Sequence, residues 1–204
     1  MAIDAKPIKG RGTGLQVHNR FERVRYGVFE PEGIDTVEED EGDGSTRYID
    51  VFPKTVLNKV SSPDAGMDWS VNPYQGCEHG CAYCYARPTH EYWGYSAGLD
   101  FERTVLVKRN APELLRKALE RPQWERGIIS FSGNTDCYQP VERKLRITRG
   151  LLEVAQRFNQ PIGIITKNDL VLRDLDILAD MAAKRLAMVA ISLTTLNEDL
   201  RRVL

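Results

Sequence analysis

Residues 127–166 read GIISFSGNTDCYQPVERKLRITRGLLEVAQRFNQPIGIIT, and this stretch decides the fold class. It opens with a short apolar run at residues 127–131 and closes with another at residues 161–166, and both are typical of buried strands. Between them, apolar or small residues repeat at helical spacing: Val141, Leu145, Thr148, Leu152, Ala155 and Phe158. A strand that is followed by a helix and a second strand is a crossover unit, which predicts a parallel sheet.

The same alternation continues on both sides of this stretch. Further strand-like runs lie at residues 47–51, 68–71, 104–107 and 187–193. Asn110 and Glu113 predict a capping box at the start of one helix, and Asn197 is predicted to cap a last helix that runs to Leu204. The sequence therefore predicts an α/β fold whose strands are apolar on both faces, because helices cover both sides or because a barrel closes.

Composition places the chain among ordinary globular proteins. Its 204 residues are 42% hydrophobic and 28% charged, and the net charge of −1 neither favours nor excludes a nucleic-acid partner. The charge is uneven, because residues 1–50 carry seven basic and eleven acidic residues. We predict a largely irregular N-terminal extension with an acidic linker over residues 1–46, followed by an ordered core over residues 47–204.

Three of the four cysteines fall within eight residues, and what such a cluster indicates depends on where the protein is located. No stretch approaches the roughly 20 apolar residues of a membrane helix. The opening MAIDAKPIKG lacks the apolar run of a signal peptide. We therefore expect a cytoplasmic protein with no membrane partner, in which such a cluster indicates metal or redox chemistry rather than disulfides.

The cysteine cluster lies in the segment NPYQGCEHGCAYCY at residues 72–85, with Cys77, Cys81 and Cys84 in a C-x-x-x-C-x-x-C spacing. Thiolates are ligands for iron–sulfur clusters, zinc or copper. A four-iron cluster usually has four cysteine ligands, so three would leave one iron open to a small molecule. Zinc and three metal-free thiols remain alternatives, and the fourth zinc ligand would then be His79, His90 or Cys137.

Polar residues follow the predicted strands at the edge where ligands of parallel sheets bind. The segment at residues 132–136 follows the second of these strands, residues 167–169 follow the third, and residues 192–195 end the fourth. Residues 132–136 and 192–195 also have a simpler interpretation as a strand-to-helix turn or a helix cap, and Lys167 as a solvated loop lysine.

The sequence resembles a known family at these residues. Asn72-Pro-Tyr-Gln-Gly-Cys77, the following Cys81-Ala-Tyr-Cys-Tyr-Ala-Arg87 and NTDCYQPVE at residues 134–142 are similar to radical S-adenosylmethionine (radical SAM) enzymes. Within them they resemble the bacterial subfamily related to spore photoproduct lyase, often labelled DNA repair photolyase-like. The early KGRG at residues 9–12 and NRFE at residues 19–22 also fit that subfamily.

The resemblance implies a fold, two cofactors and a reaction. The fold is a partial parallel (βα) barrel, and Cys77, Cys81 and Cys84 hold a 4Fe–4S cluster. S-adenosylmethionine chelates the open iron and is cleaved reductively to a 5′-deoxyadenosyl radical, with a flavodoxin or ferredoxin as electron donor and nucleic acid as a candidate substrate. The candidate cofactor-binding residues are Tyr83, Ser132, Gly133, Asn134, Thr135, Lys167 and Ser192.

Other features qualify this interpretation. Cys137 is a candidate hydrogen-atom donor to a product radical, or a small packing residue. About four strand–helix units precede Leu204, where the family usually has about six, so we expect a barrel that is truncated or completed by another chain. The alternatives are a non-catalytic iron–sulfur or zinc module, and a radical enzyme that modifies a protein or a metabolite.

Overall fold

The computed structural model describes residues 12–23 and 45–201. The strands are β1 (Arg47–Val51), β2 (Leu57–Lys59), β3 (Trp69–Val71), β4 (Tyr74–Gln75), β5 (Thr104–Lys108), β6 (Ile129–Phe131), β7 (Ile162–Thr166) and β8 (Ala187–Ile191). The α-helices are α1 (Leu99–Arg103), α2 (Ala111–Leu119), α3 (Glu142–Leu145), α4 (Ile147–Arg157), α5 (Leu175–Ala183) and α6 (Glu198–Arg201). Three 3-10 helices span Pro63–Ala65, Arg87–Trp93 and Asp169–Asp174. No described helix is long and apolar enough to cross a bilayer.

The larger sheet has five strands in the order β2-β3-β6-β7-β8. Four of them, β3, β6, β7 and β8, run parallel, and β2 pairs antiparallel with β3 at one edge. This arrangement confirms the predicted α/β class with crossover connections. The sheet has two free edges, β2 and β8, so it does not close into a barrel within the described residues.

A second sheet of three strands, in the order β1-β5-β4, positions the cysteine segment. Sequence analysis predicted β1 and β5 but missed β4, which has two residues and pairs antiparallel with β5. Because β4 follows β3 after only two residues, the chain leaves the larger sheet at once. The cysteine loop then begins at Gly76, between β4 and β5 in sequence, which are neighbouring strands of this smaller sheet.

The core lies between the larger sheet and helices α2, α4 and α5. The predicted apolar helix face is confirmed, since Thr148, Leu152 and Ala155 are fully buried. Each fully buried leucine stabilises the fold by roughly 1.5–3 kcal/mol. The long helix predicted over this face is instead two helices, α3 and α4, because Arg146 adopts a left-handed φ of 54°. The Glu142 carboxylate accepts the Thr148 N–H at 3.0 Å and so caps the new start of α4.

The predicted capping box at Asn110 is wrong. Asn110 occupies the N-cap position of α2, but its side-chain amide donates to the Pro53 carbonyl at 3.2 Å and makes no cap hydrogen bond. Glu113 pairs with Arg116 instead, at 2.7 Å. The predicted cap of the last helix is confirmed, because Asn197 Oδ1 accepts the Leu200 N–H at 3.0 Å.

The β8 edge of the sheet carries exposed apolar side chains. Met188 is 66% exposed and Ile191 is 59% exposed, and Ile165 on the neighbouring β7 is 43% exposed. The prediction that the strands are buried on both faces therefore holds for β6, whose three residues are all buried, and not for β8.

Candidate metal centre

The three clustered cysteines lie in one tight loop between β4 and the 3-10 helix Arg87–Trp93, and all three thiols are free. Cys77 is buried, whereas Cys81 and Cys84 are half-buried. Gly76 and Gly80 adopt φ values of 84° and 65°, a left-handed conformation that favours glycine. Two consecutive turns follow, because the Gly80 N–H donates to Cys77 O and the Cys84 N–H donates to Cys81 O, each at 3.2 Å.

Gln139 holds the first cysteine in place. Its side-chain amide donates to Gly76 O at 3.1 Å, and its Oε1 accepts the Glu78 N–H at 3.1 Å, so one buried side chain brackets Cys77 on both sides. The Cys77 N–H donates to Phe101 O at 2.7 Å. The motif at residues 134–142 therefore contacts the cysteine loop directly, which gives a physical reason for the two motifs to occur together.

Arg87 supports the loop from its other side. Its guanidinium donates to the carbonyls of Gly80 and Cys81 at 2.8 and 2.9 Å, and also to those of Ala97 and Gly98. It forms a 2.5 Å ion pair with Glu102, whose side chain has no exposed surface. Sequence reasoning missed this role although Arg87 lies in the quoted motif, since four of its partners are backbone carbonyls and carry no sequence signal.

Residues 12–23 pack behind the cysteine loop. The Thr13 N–H donates to Glu102 Oε1 at 2.9 Å, and the Leu99 N–H donates to Leu15 O at 3.1 Å. A Cβ on Gly12 would lie 1.8 Å from Gly80 O, so this contact requires glycine. The remainder of the predicted N-terminal extension, including the acidic run, lies outside the described residues, and its boundary at residue 46 stays a prediction.

Lys167 lies beside the cysteines, as expected from its place at the end of β7. Its Nζ is 2.8 Å from Cys81 Sγ and 3.0 Å from Tyr83 Oη. Burial alone would lower the pKa of Lys167, but the contacts with Cys81 and Tyr83 raise it above its usual value. The lysine therefore places a fixed positive charge next to the thiols.

Tyr83 and Tyr85 connect the loop to the carboxyl ends of the strands. Tyr83 Oη lies 2.8 Å from Thr194 Oγ1, and Tyr85 Oη donates to Gly133 O at 2.6 Å. Tyr83 is 52% exposed and Tyr85 is 79% exposed. The two rings thus form an accessible rim next to the cysteines, and a cofactor contact by Tyr83 stays a prediction.

The segment at residues 132–135 forms a bend that contacts the chain between β3 and β4, just before the cysteine loop. Ser132 Oγ accepts the Cys137 N–H at 2.9 Å, and Thr135 Oγ1 donates to Tyr74 O at 2.9 Å. The Asn134 N–H donates to Asn72 Oδ1 at 2.8 Å. The hydroxyl groups of Ser132 and Thr135 therefore serve turn formation here, and cofactor contacts by residues 132–135 stay predictions.

Ser192 lies just past β8, at the same edge of the sheet. Its side chain is exposed, and its backbone N–H donates to Thr166 O at 2.8 Å. This hydrogen bond extends the β7–β8 pairing, so it gives no support beyond position for a cofactor contact. That role stays a prediction.

Asp136 joins the cysteine loop to the strand ends. Its carboxylate accepts the Thr166 hydroxyl at 2.7 Å and the Lys167 N–H at 2.9 Å, and His79 Nε2 lies 3.4 Å away. Burial alone would raise the pKa of Asp136, but His79, Lys167 and Thr166 outweigh it and hold that pKa below its usual value. His79 therefore lies next to the Asp136 carboxylate.

The side-chain geometry of the described residues does not distinguish a zinc ion from an iron–sulfur cluster. Within residues 12–23 and 45–201, no group of three or more His, Cys, Asp or Glu side chains is arranged to hold one metal ion. His90 is fully buried and stacks on Tyr95 at a ring distance of 5.2 Å. Burial lowers the pKa of His90 to about 4, so it is a neutral packing ring.

Cys137 lies in the main hydrophobic core and has no exposed surface. Burial raises the pKa of its thiol well above the usual value. A hydrogen-atom donor must reach a substrate radical, so this position favours the packing role that the sequence left open. The donor role stays a prediction.

The thiols should differ in reactivity in the metal-free protein. Burial raises the pKa of Cys77 to about 12, and the thiolate is the reactive form. We expect iodoacetamide to modify the half-buried Cys81 and Cys84 at least about tenfold faster than the buried Cys77 and Cys137. Peptide mass spectrometry over a time course measures this directly. Equal rates at Cys77 and Cys81 would contradict the loop geometry.

The chain has an α/β fold with a three-cysteine loop at the carboxyl edge of a parallel sheet. This combination indicates an α/β protein that binds a metal through thiolates. Residues 71–204 match the Radical SAM superfamily, and the chain belongs to that family. It is 38% identical over 204 residues to the uncharacterized proteins Rv2578c of Mycobacterium tuberculosis and Mb2609c of Mycobacterium bovis, which covers 99% of this chain and 56% of each relative. It is also 31% identical over 149 residues to the uncharacterized protein MJ0683 of Methanocaldococcus jannaschii, covering 73% of this chain and 51% of that protein.

The chain thus spans about half the length of the curated relatives it matches. No solved structure matches it significantly.

Proposed function

We propose that this chain binds a 4Fe–4S cluster through Cys77, Cys81 and Cys84 and belongs to an enzyme that cleaves S-adenosylmethionine. The observation that carries the proposal is the loop itself, which has three free thiols within eight residues. Gly76 and Gly80, which directly precede Cys77 and Cys81, adopt the left-handed conformation that lets this loop turn tightly. The donor set fits, because thiolates suit iron–sulfur clusters and three of them leave one iron open. When bound, the cluster supplies the electron that splits S-adenosylmethionine into methionine and a 5′-deoxyadenosyl radical.

The residues around the loop prepare it for this role. Gln139 and Arg87 fix the backbone on both sides of the cysteines, so the loop that carries the three side chains is constrained in the metal-free protein. Lys167 supplies a positive charge that would balance the charge of a thiolate or of the S-adenosylmethionine carboxylate. The hydroxyls of Tyr83 and Tyr85 bond to Thr194 and Gly133 near the strand ends, so the two exposed rings are held next to the cysteines.

The substrate that we propose is nucleic acid, in the manner of spore photoproduct lyase-like enzymes, with a flavodoxin or ferredoxin as reductant. Support comes from the resemblance at residues 72–87 and 134–142, and from the exposed aromatic rings beside the cysteines, which suit base stacking. A radical enzyme acting on a protein or metabolite is the alternative. A non-catalytic iron–sulfur module is the alternative outside enzymes, and the cytoplasmic location stays a prediction.

Cleavage of S-adenosylmethionine tests the proposal. We expect the whole enzyme to which this chain belongs, reconstituted and reduced with dithionite, to form 5′-deoxyadenosine and methionine, and residues 1–204 alone to form them poorly, because an open iron would bind the cofactor and pass on the electron. Liquid chromatography with mass spectrometry measures both products, and an oligonucleotide substrate should raise their rate of formation. A protein that holds a full complement of iron and sulfide but forms no 5′-deoxyadenosine with any reductant would be the non-catalytic module.

A further inference from the structure

A cavity of about 410 Å³ lies at the amino end of β3, whose carboxyl end leads to the cysteine loop. We propose that this cavity binds a nucleotide unit, an aromatic base carrying phosphate, at a site separate from the cysteine loop. Its volume lies within the roughly 300–1,000 Å³ typical of small-molecule sites. Its chemistry comes from six of its lining residues: Trp69, Trp124, Lys54, Lys59, Lys117 and Arg121.

Two tryptophans give the cavity an aromatic wall. The rings of Trp69 and Trp124 are 5.1 Å apart and tilted by 37°. Trp124 Nε1 donates to Gln160 Oε1 at 3.0 Å, and the Gln160 amide is held in turn by Gly127 O at 2.6 Å. Both rings are only partly buried and pack against the main core. The wall is therefore fixed in place, with indole surface left for a ligand to contact.

Basic side chains surround this wall. Four basic residues and one acidic residue, Glu125, line the cavity. Lys54, Lys59 and Arg121 form no ion pair within the described part of the chain. Lys117 Nζ pairs with Glu113 Oε1 at 3.3 Å, but both side chains are more than 45% exposed, so this ion pair is weak. The cavity thus holds an excess of uncompensated positive charge.

The tryptophans and the basic residues together say more about the ligand than either set of residues alone. Inorganic phosphate or an acidic peptide would need the cations but not the indoles, and an uncharged aromatic ligand would need the indoles but not the cations. Base stacking on aromatic rings together with phosphate neutralisation by lysine and arginine is the chemistry of nucleotide binding. The ligand is a free nucleotide or one unit of a nucleic-acid strand, and the experiment separates these two sources.

Binding to the reconstituted protein tests this inference by isothermal titration calorimetry. The probes are adenosine monophosphate, a short single-stranded DNA oligonucleotide and inorganic phosphate. The double variant Lys59→Glu/Arg121→Glu should weaken nucleotide affinity by about tenfold or more, and for the oligonucleotide it should flatten the dependence of log affinity on log salt by about 0.7 for each phosphate that is no longer neutralised. The matched control Lys144→Glu reverses an exposed charge outside the cavity and should change little.

A second variant tests the aromatic wall. Trp124→Leu should weaken binding by about tenfold, as expected when a base loses its stacking partner, whereas Trp93→Leu, which alters a tryptophan outside the cavity, should not. If Trp124→Leu fails to fold, the exposed charge variants still decide the question.

The outcomes separate clearly. Saturable binding of the monophosphate supports a free nucleotide, and binding of the oligonucleotide without competition by the monophosphate supports a strand. The inference is overturned if inorganic phosphate competes as well as the nucleotide, if the charge variants bind unchanged, or if saturating S-adenosylmethionine displaces the nucleotide. Because the readout is binding, failure of S-adenosylmethionine cleavage leaves this test intact.

Discussion

Replacing Cys81 or Cys84 by Ala is expected to abolish the iron–sulfur cluster and leave the fold intact. Each substitution removes a thiolate ligand, and both side chains are half-buried, so the packing changes little. Anaerobic reconstitution of the unchanged protein should give about four iron and four sulfide per chain, with broad visible absorption. Both variants should contain almost no iron or sulfide in the same assays. Their circular dichroism spectra should match that of the unchanged protein, because the fold stays intact.

The fourth cysteine provides the matched control. Cys137→Ala makes the same chemical change in the core, so it should keep the iron and lower the free energy of unfolding by about 1–3 kcal/mol. Loss of iron in Cys137→Ala would make Cys137 a ligand. Stoichiometric zinc without sulfide in the unchanged protein would overturn the iron–sulfur proposal.

The regular elements were largely predictable because their signals are local. Residues 161–166 were predicted as a strand, and β7 spans Ile162–Thr166. Elements that depend on tertiary contacts were missed. Nothing in the sequence marks the two residues of β4, which pair with β5 about thirty residues later. The break at Arg146 was missed as well, since a left-handed φ at an arginine has no composition signal.

The candidate site likewise has residues that the sequence predicted and residues that it did not. The spacing of Cys77, Cys81 and Cys84 predicted the ligands, because a tight loop brings nearby residues together. The supports of that loop were not predicted: Gln139 lies 63 residues from its partner Gly76, and both contacts are made to backbone groups. Spacing therefore identifies ligands, whereas the residues that hold them in place require coordinates.

Arg87→Met is expected to destabilise the protein strongly. It removes the guanidinium that pairs with the Glu102 carboxylate, which has no exposed surface, and it removes the donors to the Gly80 and Cys81 carbonyls. Removing one partner of a buried ion pair costs about 3–5 kcal/mol, because the remaining charge stays buried. In a chain of this size we expect the Tm to fall by roughly 6–20 °C, measured by thermal or urea unfolding.

Arg116→Met is the matched control. Arg116 pairs with two carboxylates, Glu113 and Glu120, but it does so on the exposed face of α2, where water screens such pairs and they contribute little to stability. The double variant Arg87→Met/Glu102→Gln should recover part of the stability, because the negative charge that Arg87 balanced is then removed as well.

A second measurement separates loop positioning from general stability. Arg87 donates to the carbonyl of Cys81 itself, so its removal should loosen the cysteine loop even in molecules that remain folded. In the metal-free protein, below the unfolding transition, alkylation of the buried Cys77 should therefore accelerate in Arg87→Met and stay unchanged in Arg116→Met. If Arg87→Met costs no more stability than Arg116→Met and leaves the Cys77 rate unchanged, the guanidinium does not hold the loop, and its contacts with the Gly80 and Cys81 carbonyls are incidental.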